Sequence, residues 1–375
     1  MSNNDLRKAY GLFKSVANPS LVTFGAWFLK FGKHLPGMRY LLKNTIYSHF
    51  CGGETITDSL QTVEKLHTQN VYSILDFSVE GKEEEAEYDH CRDEILRNVD
   101  LSRQRKEIPF VVFKPTGFGN IQLYTKVSEG KELTDAEKVS WQRIVERFDS
   151  VCRRAYDNDV TIMIDAEESW LQPAADKLAE DLMQRYNQHK CIVVNTLQMY
   201  RHDRLAYLKS EFERAKQGNY KIGYKVVRGA YIEKEQDRAA KLGYPSPIQP
   251  NKEATDHDYN QALEFITAHH DTISLFAGTH NEVSSKLLMD LIDQHGFSHD
   301  YHKMWFGQLL GMSDNISFVV ADKGYNVAKY VPYGPLNDVM PYLMRRAQEN
   351  TSVAGQSSRE LLLIEKELHR RGKRF

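Results

Sequence analysis

From about residue 70 onward the chain repeats one arrangement: a short apolar run, then a longer stretch with apolar positions every three or four residues. The runs stand at 71–75, 110–113, 161–164, 192–194, 222–227, 273–277, 304–309 and 327–331. Short runs of this kind predict buried strands, and the amphipathic stretches between them predict helices. The clearest helix start is at Thr134, where Glu137 three residues later makes a capping box. After the fifth run, Pro245, Pro247 and Pro250 divide the segment into two helices and a loop. Eight strands joined by helical crossovers require parallel pairing and point to a closed (β/α)8 TIM barrel. A doubly wound open sheet is the alternative. No GxGxxG follows the first strand, which removes the main support for a dinucleotide-binding sheet. Gly117-Phe118-Gly119 is a fragment of such a loop and reads as a turn.

The two ends of the chain depart from this rhythm. Residues 1–55 predict an N-terminal helical arm: Leu6, Tyr10, Phe13 and Ala17 recur at helical spacing, Asn18-Pro19 breaks the run, and two further helices follow as far as Gly52-Gly53. Residues 56–375 make the barrel domain, opening with a helix for which Asp58 is the expected cap. Beyond the eighth strand, Pro332-Tyr333-Gly334-Pro335 turns the chain into a final helix, with Asp338 as expected N-cap and Pro341 in the first turn. Tyr342, Arg345, Arg346 and Glu349 follow i, i+3, i+4, i+7 and share one face, while Leu336, Met340, Leu343 and Ala347 make a face for the core. The preceding strand would aim this helix across the barrel mouth. Two adjacent arginines beside a tyrosine suit a planar carboxylate or phosphate, though spacing alone equally permits a solvated basic face.

Composition narrows the function. A formal net charge of −2 and a pI near 6.7 over 375 residues argue against a nucleic-acid binder. The four cysteines stand apart without a CxxC, which suggests neither a disulfide framework nor a zinc knuckle and fits a reducing interior. The N-terminus carries no signal-peptide pattern, and the apolar run 21–31 contains Lys30 and is too short to span a bilayer, which takes roughly 20 residues.

The chemistry is carried by the strand ends, which in a barrel form the functional face. They read Asp76, Lys114, Asp165, Asn195, Arg228, Thr279-His280, Gln308 and Tyr330. Strand alternation puts Lys114 on the side of Phe110 and Val112, and Tyr330 on the side of Ala328. No Ser-His-Asp arrangement declares itself. His295, His299 and His302 read as surface loop, so no metal is expected. A mouth rich in cations and aromatic walls but poor in nucleophiles suits a redox cofactor that carries the chemistry itself.

Four stretches together resemble the proline dehydrogenase family: YKVVRGAYIEKE from Tyr224, Gly278-Thr279-His280-Asn281, QLLGM from Gln308, and YVPYGP to YLMRRAQEN from Tyr330 to Asn350. The likeness covers about residues 70–350. It implies an FAD enzyme that oxidises L-proline to Δ1-pyrroline-5-carboxylate by hydride transfer from C5 to flavin N5 and passes electrons to a quinone. By resemblance, Lys114, Arg345 and Arg346 bind the substrate carboxylate, and Tyr330, Tyr342 and Leu309 wall the ring. Tyr231 borders substrate and flavin, and Asp165, with Lys225, Lys114 and Tyr231, belongs to the catalytic set. Asp165, Ala166, Lys225, Arg228, Gly229, Ala230, Thr279, His280 and Glu349 are the implied cofactor-side positions. Two departures from the common bacterial pattern are Lys225 in place of arginine, and Asn195 in place of glutamine with Gln198 just beyond; either Asn195 or Gln198 could face the flavin. The length leaves no room for an aldehyde-dehydrogenase domain, which implies a monofunctional protein, and the lack of a transit peptide or spanning helix favours a cytoplasmic one touching the inner face of a bacterial membrane peripherally. Hydroxyproline dehydrogenase shares these motifs and is the nearest rival; a metal-dependent barrel hydrolase and a non-catalytic barrel are more distant ones.

Overall fold

The computed structural model describes residues 6–7, 10–11, 14, 40, 42–79, 83–352 and 356–372, with the side chains of 347–352 and 356–360 left out of that description. The chain divides into two compact units: Thr62–Phe77 with Lys82–Tyr330, and Met1–Gln61 with Ser78–Gly81 and Val331–Phe375.

The first unit is organised by eight strands, β1 Tyr72–Phe77, β2 Phe110–Phe113, β3 Thr161–Ile164, β4 Val193–Gln198, β5 Ile222–Val227, β6 Ile273–Gly278, β7 Met304–Leu309 and β8 Val327–Tyr333. They pair in sequence order into a closed, parallel barrel, as the strand–helix alternation predicts. Every expected run became a strand. The bounds moved most at β4, which extends to Gln198, and next at β1 and β8, which extend to Phe77 and Tyr333.

The helices are α1 Ile56–His67, α2 Glu85–Gln104, α3 Ile121–Ser128, α4 Asp135–Asp157, α5 Gln172–Tyr186, α6 Arg204–Gly218, α7 Ile232–Leu242, α8 Lys252–Ala268, α9 Glu282–Gln294, α10 Asp314–Asp322, α11 Met340–Ser352 and α12 Gln356–Arg370. Thr134 and Glu137 form the expected capping box at the start of α4. The proline-divided segment becomes α7, a loop and α8.

Alternation along each strand decides what fills the barrel. Ile74, Phe110, Val112, Met163, Val194, Phe276, Ala328 and Tyr330 form one buried cluster, with Tyr72, Trp305 and Leu309 packed against it. Phe110 meets the edges of Phe276 and Trp305 at centroid separations of 5.4 and 4.8 Å. Gly307 makes this possible, because a Cβ there would lie 2.1 Å from the Phe276 ring.

In the second unit, the backbone of Gly52 donates to Pro332 O at 2.8 Å, and Tyr47 Oη donates to Gly334 O at 2.9 Å. Leu6 packs with Ile364 and Leu368. Most of the expected N-terminal arm, including Phe13, Ala17 and the run 21–31, lies outside the described residues. Two expected caps are corrected. Thr55, not Asp58, caps α1: Thr55 Oγ1 accepts from Asp58 N and the Asp58 carboxylate accepts from Thr55 N, a reciprocal box with Asp58 in its third position. Asp338 belongs to a turn closed by its N–H on Pro335 O, and α11 begins at Met340.

Candidate active site

The C-terminal ends of β1, β2, β3, β5 and β8 bring together Asp76, Lys114, Asp165, Lys225 and Tyr330. Lys114 Nζ donates to both Asp76 carboxylate oxygens at 3.0 and 3.2 Å and lies 3.7 Å from Asp165 Oδ2. Lys225 Nζ donates to Asp165 Oδ1 and to Tyr330 Oη, the latter at 2.9 Å. The same ammonium stands 4.9 Å from the Tyr330 ring centroid. Two carboxylates and two ammonium groups therefore form one compact, charge-balanced row ending on a phenol. The Lys225 side chain is only 7% exposed, so its charge depends on Asp165 for compensation. Burial, reinforced by the Asp165 and Asp76 carboxylates, pushes the Tyr330 phenol well above its ordinary pKa and keeps it protonated.

Asn195 and Gln198 are separated by the pleat. Asn195 points away from the barrel interior, donating to Asp176 Oδ1 of α5 at 2.9 Å, and Asp176 in turn pairs with Arg204 of α6. It is thus removed from the strand-end site. Gln198 lies on the inward set with Val194 and donates to Glu167 O at 2.7 Å. Gln308 is likewise turned outward, with Oε1 accepting from Ser317 Oγ. Both outward residues follow from the two-residue strand period.

After β5 the chain presents little side-chain bulk. Gly229 has φ 126°, a value that favours glycine, and Ala230 is exposed. Arg228 beside them is anchored by three of its five N–H groups, donating to Asp256, to Thr279 Oγ1 at 2.8 Å and to Ser284 Oγ at 2.9 Å. His280 Nδ1 is 2.9 Å from Ser313 Oγ. Tyr231 precedes α7 and is half-buried, as are Ala166 and Leu309. The missing Cβ of Gly229 makes room for the Tyr200 ring, which it would approach to 2.5 Å, while two cations with hydroxyl and imidazole groups nearby suit a cofactor carrying a diphosphate.

Tyr342, Arg345 and Arg346 belong to the second unit. Tyr342 and Arg346 are buried, with the guanidinium 5.4 Å from the tyrosine ring centroid, which is not the geometry of a solvated basic face. The side chain of Glu349 lies outside the described residues. Among the described residues no three His, Cys, Asp or Glu side chains group as a metal site, and His299 instead contacts Asp293 and Lys323 O.

Three contributors went unread in the sequence. Glu167 accepts from Thr116 N and Oγ1 at 2.8 and 2.6 Å, and burial pushes its carboxyl up to about 7. Asp256 holds Arg228. Lys329, fully buried on the outward side of β8, donates to Leu309 O and Met312 O and pairs with Asp314 at 2.8 Å, fixing the loop after β7. Only the Glu-Glu after Asp165 offered a signal for any of them.

A family model described as proline dehydrogenase matches residues 59–359. A carbapenem antibiotics biosynthesis protein, CarD, of Pectobacterium carotovorum subsp. carotovorum is 37% identical over 335 residues, covering 89% of this chain and 86% of that one. Human mitochondrial proline dehydrogenase 1 is 37% identical over 241 residues, covering 64% of this chain and 40% of its own length. Among solved structures, proline utilization A (PutA) from Bdellovibrio bacteriovorus, inactivated by N-propargylglycine, superposes with a TM-score of 0.75 at 20% identity, over 94% of this chain and 37% of that chain. The chain thus spans well under half the length of the human relative and of PutA.

Proposed function

The chain belongs to the proline dehydrogenase family of oxidoreductase enzymes, and on that premise we propose that it oxidises L-proline to Δ1-pyrroline-5-carboxylate, the first step of proline catabolism. The cofactor is FAD, which when bound supplies the hydride acceptor for C5 and passes two electrons on to a quinone. The observation that carries this is the buried row of Lys114, Asp165, Lys225 and Tyr330 at the barrel's strand ends.

Each residue has a distinct task. An ammonium carries three donors, so Lys114 can bond the substrate carboxylate while keeping Asp76. Arg345 and Arg346 add the bidentate grip that a lysine lacks. Tyr330, Tyr342, Tyr231 and Leu309 wall the five-membered ring and exclude water. Asp165 fixes the two ammonium groups relative to one another, so the cation of Lys225 stands preorganised on the cofactor side without reorganisation during the reaction. Asp165, Ala166, Gln198, Arg228, Gly229, Ala230, Thr279 and His280 complete the cofactor side, with Glu349 helping to hold α11. The amine nitrogen must be unprotonated when the hydride leaves, and its N–H proton departs as the C=N bond forms.

Residues 1–55 form the arm, whose end is held to the chain around the end of β8 through Gly52 and Tyr47. The protein works in the cytoplasm and reaches its quinone by peripheral contact with the membrane; among the described residues no helix is long and apolar enough to cross one. The test is an absorption spectrum: the purified protein should carry a flavin band that anaerobic L-proline bleaches. Colourless protein that stays inert after FAD is added refutes the assignment. A Tyr330 ring over the pyrrolidine leaves no room for a 4-hydroxyl, so proline is preferred over hydroxyproline.

A further inference from the structure

The opposite end of the barrel carries a second concavity, about 320 Å³ in volume, built from the residues that lead into the strands. That volume is at the lower end of small-ligand pockets, roughly 300–1,000 Å³. Its rim holds Lys190, Lys221, Lys303 and His302; its inner wall is aromatic, with Phe276 and Trp305. The bottom face of a barrel ordinarily serves stability, and lysines gathered around an apolar hollow do not contribute to it.

The rim charges act on one another. Burial and then the Lys221 cation hold the Lys303 ammonium below its ordinary pKa. Burial and then the Lys303 and Lys190 cations do the same to His302. Compensation comes only from exposed carboxylates: Lys190 pairs with Asp159, whose side chain is 74% exposed, and Asp271, 90% exposed, offsets part of the effect on Lys303. Among the described residues no carboxylate comes within ion-pair distance of Lys221 or Lys303. Lys303 instead donates to His270 O at 3.0 Å and Asp271 O at 3.3 Å, which aims its ammonium along the rim. Mutually repelling cations above an aromatic wall match a ligand that is anionic at one end and a compact ring at the other.

We propose that this floor pocket binds a small organic anion, a carboxylate or phosphate carried on a compact ring, with Lys221, Lys303 and Lys190 holding the charge and Phe276 and Trp305 the ring. The lysines lie at the end of the barrel opposite the strand-end site, and only Phe276 reaches towards it, packing edge-on against Tyr330 at 6.1 Å between ring centroids. The experiment is calorimetric titration of the full chain with phenyl phosphate, benzoate, benzyl alcohol and inorganic phosphate, with tryptophan fluorescence in parallel. At least one aromatic anion should bind, more tightly than benzyl alcohol or inorganic phosphate, with an affinity that falls as salt rises. Which of the two binds tighter tells phosphate from carboxylate. Lys221→Gln, at an ammonium that makes no hydrogen bond or ion pair among the described residues, should weaken that binding roughly tenfold or more. Lys286→Gln, an exposed lysine paired with Asp290 on α9, should leave it unchanged. Trp305→Phe should abolish the fluorescence response. Absence of binding by both aromatic anions, equal affinities in Lys221→Gln and Lys286→Gln, or inorganic phosphate binding as tightly as phenyl phosphate would overturn the proposal.

Discussion

Asp165→Asn tests whether the strand-end row is held by charge balance. Asp165 is the carboxylate paired with Lys225, and it also lies 3.7 Å from the Lys114 ammonium. A pair near 4 Å is worth about 4 kcal/mol at an effective dielectric of 20. Breaking a buried pair by removing one partner generally costs about 3–5 kcal/mol, because the other charge is left uncompensated. Two features reduce that here: the Asp165 side chain is 15% exposed, and Lys114 keeps Asp76. The expected loss is about 2–4 kcal/mol, read as a drop of several degrees in Tm and a lower urea midpoint at unchanged slope. Lys225→Met in the same background removes the stranded charge. The double variant should therefore be more stable than the sum of the single losses predicts, with a coupling of about 2 kcal/mol. Losses that add to within about 0.5 kcal/mol, or an Asp165→Asn protein as stable as wild type, would show that the row is solvated and that its geometry is not set by the pairing.

Other outcomes probe the remaining parts. Arg345→Met and Arg346→Met should each cost about 1.5–3 kcal/mol of transition-state binding, roughly ten- to a hundredfold in kcat/KM, with flavin content unchanged; lysine should rescue only partly. Steady-state kinetics beside flavin absorbance checks this. Tyr330→Ser should lose proline efficiency through lost packing and narrow the preference for proline over trans-4-hydroxy-L-proline, measured as the ratio of kcat/KM values. Glu167 gives a pH signature. Its folded-state value, raised to about 7 by burial, means the native state binds the extra proton, so this group's contribution is full below about pH 4.5 and is lost as pH rises through 7. Glu167→Gln lacks that loss. Relative to wild type the variant should gain stability between pH 4.5 and 7, by up to about 3 kcal/mol, and a flat difference across that window in urea melts would contradict it.

The sequence alone determined the barrel, because each strand is built on a short, mostly apolar run buried on both faces, and the crossovers carry helices with one apolar face. It also placed Lys114 and Tyr330 on the inward side, since a strand's period of two leaves no other choice once Phe110 and Ala328 are inside. The capping box at Thr134 was legible for the same reason: its partners are three residues apart. What lies beyond local spacing was decided by tertiary structure. Asn195 and Gln308 follow apolar runs in the sequence as the site residues do, yet the phase of the pleat turns them to Asp176 and Ser317. The cap of α1 fell to Thr55 and the start of α11 to Met340 because turn geometry chose among several capable residues. Pairings such as Lys225 with Asp165 and Tyr330, Arg228 with Asp256, or Lys329 with the carbonyls after β7 join residues 17 to 105 positions apart. No periodicity encodes such a pairing; only closure of the barrel, which brings all eight strand ends to one rim, decides which charge meets which.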